Sequence, residues 1–304
     1  MSDFISVRTS QIQFFKTIPF YYQSKDGEFL LYKKPGEQFD PERADQARHP
    51  QLFIEKKNKN RALQELTHGL NMEFAKELAL GGLVRIKTAL GNIVKEALTP
   101  GQESVMLGLP ETIDILFKNM DQDHTTMGYL AKVAGTSEMM VEHTVNVTAL
   151  TLQYCFFLKM SEQETRNLAL SALLHDVGAS TLDRDIIESK DRLSKGQFEQ
   201  YKTHPEAGHD MIIMNTNFNI AVANVALEHH ERLDKSGYPN GTDLICRESQ
   251  IIGFIDSYEA LTYRNKAFRK AKKPFDTLKL IKKEVMEKKF SLNIFKEFTS
   301  CLIR

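Results

Sequence analysis

Of the nine histidines in this 304-residue chain, five fall where they could do chemistry. His175 and Asp176 stand side by side where the apolar run LALSALLHD meets VGAS. His204 precedes Pro205, His229 and His230 close the segment NIAVANVALEHH, and His143 lies within MMVEHTVNVTALTLQYCFFL. Asp256 is set in the apolar stretch IIGFIDSYEAL, where a carboxylate is costly to bury unless it is paired or coordinates a cation. Imidazole and carboxylate without thiolate suit iron, manganese, nickel or zinc, and carboxylate-rich sites also admit magnesium. Two adjacent histidines do not easily serve one compact site in the same geometry, but they can address neighbouring ions. A carboxylate bridging from Asp176 would hold two metals about 3.5–4 Å apart, a spacing used in phosphoester hydrolysis. His49, His68, His124 and His209 sit in polar contexts without partners and read as ordinary polar residues.

The elements that carry these groups are mostly helical. After Pro110 almost every segment has apolar residues at helical spacing. SEQETRNLALSALLHD opens with Ser161 and has Glu164 three positions on, the pattern of a capping box. Ligand-type residues on successive helices fit a shared site in the core of a bundle. Upstream, the segment from Asn58 is also helical in period, with Gly81–Gly82 as a break. The first fifty-odd residues differ, with QIQFFKTIPFYYQ, EFLLYKKPGEQF and QLFIEKK separated by the turns SKDG and KPGE. The expected fold is mainly α: a small β-containing N-terminal module (1–57), a helical connector (58–110) and an all-α C-terminal bundle (111–304).

Composition narrows the class. A hydrophobic share of 41% and a charged share of 26% are those of a globular protein with a real core. Forty basic residues balance forty acidic ones, which gives no reason to expect DNA as a partner and leaves room for a local basic pocket. Cys155, Cys246 and Cys301 are far apart and form no CxxC pair, so neither a disulfide framework nor a cysteine zinc site is expected. The N-terminus lacks the pattern of a secretion signal, and no apolar run approaches the roughly 18 residues of a membrane span. A soluble, cytoplasmic protein is expected.

HDVG, then HPEAG, then HHERLDKSGYP, then IDSYEALT resembles the HD-GYP family of the HD superfamily of phosphohydrolases, over about residues 125–298. The resemblance implies an all-helical domain with a two- or three-metal centre that hydrolyses cyclic di-GMP. It implies His143, His175, Asp176, His204, His229, His230 and Asp256 as metal ligands, with Asp176 bridging. Gly237, Tyr238 and Pro239 would form the signature loop beside the pocket. An activated, metal-bridging hydroxide would attack phosphorus in line, opening the ring to pGpG, with GMP as the product of a second cut.

Four positions depart from the family pattern. The lysine of HDxGK is Ala179 here, and Lys190 is a nearby substitute cation. The glutamate that three-metal members carry one turn before the first histidine is Met139, while Glu142 would point elsewhere, so two divalent ions are expected, iron or manganese first. The basic run after EALT reads YRNKAFRKA, which makes Lys266 and Arg269, or Arg264, the candidate phosphate contacts alongside Tyr238. Lys235 replaces a glycine in DKSGYP. Set against the hydrolase are a receptor that binds cyclic di-GMP and signals through the N-terminal module, and a hydrolase of another phosphoester. The N-terminal or connector segment would mediate homodimerisation or bind a signalling partner.

Overall fold

The computed structural model describes residues 3–37, 50–119, 124–133, 139–189, 191–263, 265 and 269–303. The chain divides into two compact units, Met1–Glu73 and Phe74–Arg304.

The first unit is built on a four-stranded antiparallel sheet. Its strands β1 (Phe4–Ser6), β2 (Phe20–Gln23), β3 (Phe29–Lys33) and β4 (Leu52–Glu55) lie in the order β1-β4-β2-β3. SKDG makes the β2–β3 turn, where the Gly27 amide donates to the Ser24 carbonyl at 3.0 Å. The apolar run QIQFFKTIPFYYQ is strand only at its end, because Thr9–Phe14 forms a 3-10 turn that buries Ile12. Phe15, Ile18, Phe20, Leu52 and Ile54 complete this core. The boundary between the units falls within α1 (Lys59–Leu80). That helix stops at Gly81–Gly82, as the sequence suggests, and both glycines have positive φ, 71° and 101°.

The second unit is a helical bundle, consistent with the expected fold class. It comprises α2 (Leu83–Ala97), α3 (Leu109–Asn119), α4 (His124–Lys132), α5 (Met139–Leu158), α6 (Glu162–Leu174), α7 (Arg184–Ile187) and α8 (Lys195–Tyr201). α9 (His204–Asn215), α10 (Ile220–Glu228), α11 (Arg247–Thr262), α12 (Pro274–Met286) and α13 (Leu292–Ile303) complete it. α5 is buried along almost all of Val141–Cys155, the polar His143, Asn146 and Gln153 included. α2, α4, α6, α11 and α13 pack around it.

Local chemistry fixes the helix ends that matter. Ser161 starts α6 with the anticipated capping box: the Glu164 amide donates to Ser161 Oγ at 3.3 Å, and the Ser161 amide donates to Glu164 Oε2 at 2.9 Å. α11 is braced by an aromatic cluster in which Phe254 meets Phe290 and Phe298 at 5.6 and 5.4 Å, and Tyr258 meets Phe298 at 5.0 Å. Among the described residues no helix is long and apolar enough to cross a membrane.

Beyond α6 the chain turns through a short 3-10 segment, Val177–Thr181, which packs directly on α9. A Cβ on Gly178 would lie 2.1 Å from the His204 carbonyl oxygen and 2.3 Å from the Gly208 amide nitrogen, so only glycine allows this approach. Gly178→Ala is expected to destabilise the protein by about 1–3 kcal/mol through overpacking, measured by urea unfolding. Gly196→Ala is the control, since a Cβ there meets nothing within 4 Å, and it is expected to cost nothing.

Candidate metal centre

Five helices each bring part of the site. His143 projects from the start of α5, His175 and Asp176 follow the end of α6, and His204 opens α9. His229 and His230 follow α10, and Asp256 lies in the middle of α11. All seven sequence-derived candidates converge, and all but the half-buried His230 are buried.

Asp176 is the centre of the arrangement. Its Oδ2 faces His143 Nε2 at 3.5 Å and His175 Nε2 at 3.4 Å, while its Oδ1 faces His204 Nε2 at 3.2 Å and His229 Nε2 at 3.5 Å. Asp256 Oδ1 lies 3.2 Å from His143 Nε2, and Asp256 Oδ2 lies 3.9 Å from His230 Nδ1. The ligand-type atoms fall into two sets, His143, His175 and Asp256 on one side and Asp176, His204, His229 and His230 on the other. Within each set they lie within 4.8 Å of one another.

The ring orientations are fixed from outside. The Nδ1 atoms of His175, His204 and His229 donate to the carbonyls of Ala172, Tyr201 and Ala226 at 2.8, 2.7 and 2.9 Å. Carbonyls only accept, so these nitrogens carry the protons and the Nε2 lone pairs face inward. His204 Nε2 and His229 Nε2 are 3.4 Å apart, and the Asp176 Oδ1 beside them accepts no hydrogen bond. Three inward-facing acceptors without a shared proton make a hole suited to a cation. His230 Nε2, also buried and unbonded, fits the same donor set.

The electrostatics differ between the two sets. Burial works to lower the His143 pKa, but Glu259, Asp176 and Asp256 overcome it and hold the group well above the ordinary value. Burial lowers His229, and burial with the neighbouring His229 and His204 pushes His230 well down. Asp176 is held well below the ordinary carboxylate range despite its burial, because His175, His143 and His204 surround it. Asp256 is lowered in the same way against its own desolvation, chiefly by His143. The His229–His230 side is therefore poised to accept a cation, whereas the His143 side first gives up a proton.

Three residues that sequence reasoning missed complete the surroundings. Glu259 is buried and accepts a hydrogen bond from His143 Nδ1 at 2.6 Å and another from Asn146 Nδ2 at 2.8 Å. The desolvation argument applied to Asp256 covers this second acid three positions along the same helix. Glu231, also buried, accepts from the amides of Asn240, Gly241 and Thr242 at 2.6, 3.1 and 3.1 Å, which folds the signature loop back on itself. Arg232 donates to the carbonyls of His229 and Glu231 at 3.1 and 2.7 Å and stacks over Phe290 at 4.6 Å.

In the loop so held, the Tyr238 ring lies 4.6 Å from that of His230, Pro239 follows a cis peptide, and Gly237 passes against the Glu231 backbone. Lys235 keeps the left-handed backbone, with φ 66°. Ala179 is buried, and Glu142 turns away to pair with Lys87 at 2.6 Å. Arg269 donates to the Ala260 carbonyl at the end of α11, 2.7 Å away. His209 pairs with its neighbour Asp210 at the surface. Arg264, Lys266, Lys190 and His49 lie outside the described residues, as does the side chain of His124.

The profile of the HD domain family matches residues 130–292, just over half of the chain and the whole span from His175 to Asp256. The chain belongs to the HD domain family. Its HD-GYP resemblance is borne out by its relatives. It is 30% identical over 148 residues to the cyclic di-GMP phosphodiesterase response regulator RpfG of Xanthomonas campestris, covering 46% of this chain and 38% of that one. It is 26% identical over 180 residues to the cyclic di-GMP phosphodiesterase PA4108 of Pseudomonas aeruginosa, covering 59% and 43%. The matches thus span less than half the length of either relative. Bd1817, an HDG"Y"P protein of Bdellovibrio bacteriovorus, shares the fold with a TM-score of 0.60 at 18% identity, covering 99% of this chain and 100% of that one.

Two measurements test the centre. Glu259→Gln is expected to weaken metal affinity about 10- to 100-fold by loosening the His143 ring, read by chelator competition. The pKa values of His143 and His175 are both raised, so a metal competes with protons at these two rings. Loading is expected to release protons, with affinity rising as pH rises. Calorimetry in buffers of different ionisation enthalpy measures the release.

Proposed function

We propose that this chain is a metal-dependent phosphodiesterase that opens cyclic di-GMP to pGpG, with GMP the product of a second cut. The shared carboxylate of Asp176, with one oxygen toward each group of histidines, carries this reading. His143, His175, Asp176 and Asp256 would hold one divalent ion, and Asp176, His204, His229 and His230 the other. Iron or manganese suits this donor set best, and magnesium, nickel and zinc are chemically admissible. When bound, the two ions supply a lowered pKa for water and neutralise charge building on the phosphoryl oxygens.

The chain's own groups do the positioning. The carbonyls of Ala172, Tyr201 and Ala226 lock three imidazoles with Nε2 inward. Glu259 aligns the fourth by accepting from its Nδ1. Tyr238, braced between His230 and Phe198, forms a wall that meets the substrate. Arg269, Arg264 and Lys266 are the proposed basic contacts to substrate phosphate. The phosphohydrolase domain is taken as 111–304, with the connector 58–110 and the β-containing module 1–57 as surfaces for a second copy or a signalling partner. The setting proposed is the cytoplasm, where cyclic dinucleotide signals act.

A buried, uncharged Ala179 in the lysine position favours a second reading, a receptor that binds cyclic di-GMP without turning it over. Incubating the manganese- or iron-loaded protein with cyclic di-GMP and following products by chromatography separates the two. Conversion to pGpG is expected, and His204→Ala is expected to slow it by about a hundredfold or more. Micromolar binding by calorimetry with no turnover under any common divalent metal would instead establish the receptor.

A further inference from the structure

Asp176 opens on a cleft of about 490 Å³. Ala179, Phe198 and Tyr201 contribute to its walls, and Arg192 is its only cation among the described lining residues. The side chain at Ala179 ends at a buried methyl, so this position offers no positive charge to a phosphate. Arg192 stands at the exposed rim, in the connection between α7 and α8. The chain is fixed on both sides of it. Ser189 Oγ donates to the Asp191 carbonyl at 3.2 Å. Ser194 caps α8, accepting from the Gln197 amide at 3.3 Å, while its own amide donates to Gln197 Oε1 at 3.0 Å.

We propose that Arg192 is a substrate-binding residue whose guanidinium holds the phosphate that is not being cleaved, in place of the lysine absent at Ala179. This rests on the phosphodiesterase reading above. A cyclic dinucleotide carries two phosphates, and only one can lie at the paired ligand sets while its ester is cut. The other extends into the adjoining space, where Asp191 contributes negative charge. A second anion is accommodated there only beside a cation, and the planar fork of an arginine matches a phosphate through two parallel hydrogen bonds. Arg269 does not line this cleft.

Manganese-loaded parent, Arg192→Ala and Arg192→Lys proteins are compared on cyclic di-GMP and on bis(p-nitrophenyl) phosphate, a diester with a single phosphate. Arg192→Ala is expected to raise KM for cyclic di-GMP about ten- to a hundredfold, with kcat and metal content kept. Its kinetics on the small diester are expected to stay as in the parent, and Arg192→Lys to recover part of the lost affinity. An unchanged KM in a parent that cleaves cyclic di-GMP overturns the assignment and leaves the phosphodiesterase reading standing, as does an equal loss on both substrates. A parent that cleaves the small diester but not cyclic di-GMP overturns that reading and the assignment together.

Discussion

One buried carboxylate shared between two groups of imidazoles constrains everything around it. Taking an anion such as Asp176 out of water costs several kcal/mol unless positive charge and hydrogen bonds replace the lost hydration. Here the replacement is spread over rings from four helices, and each ring is useful only in one orientation. Backbone carbonyls of the preceding turn impose that orientation on His175, His204 and His229. The helices must therefore end or begin at the centre, which accounts for the crowding of termini there and for the close approach of Gly178 to α9.

The adjacent histidines followed by a rigid loop make physical sense in this frame. Consecutive residues leave a helix end in different directions, yet His229 and His230 both join the set of Asp176 and His204, with Tyr238 against the His230 ring. That convergence works only if the chain beyond them is held. Glu231 gathers three successive amides, and Arg232 ties the carbonyls of His229 and Glu231 to the aromatic cluster. Lys235 adopts a left-handed backbone that is about 1–2 kcal/mol unfavourable for a side-chain-bearing residue, and the surrounding bonds keep it there.

The seven candidate ligands were legible because their residue types are rare in apolar helices and their motifs are ordered along the chain. The helical bundle and the break at Gly81–Gly82 were legible from periodicity. Glu231 escaped because an acid in a turn ordinarily faces water and nothing local says that it is buried, whereas Glu259 shares the apolar stretch of Asp256 and the same desolvation argument covers it. Thr9–Phe14 shows the other limit: a short apolar stretch carries the same residues whether it becomes strand or turn, and packing decides. Arg192 could not be singled out among forty basic residues until the fold put it on the rim beside Ala179.

The burial of α5 reaches beyond packing. A helix shielded on every side exchanges its amide hydrogens only when the whole unit opens. His143 thus rides on an element that stays closed while more exposed segments of the unit exchange.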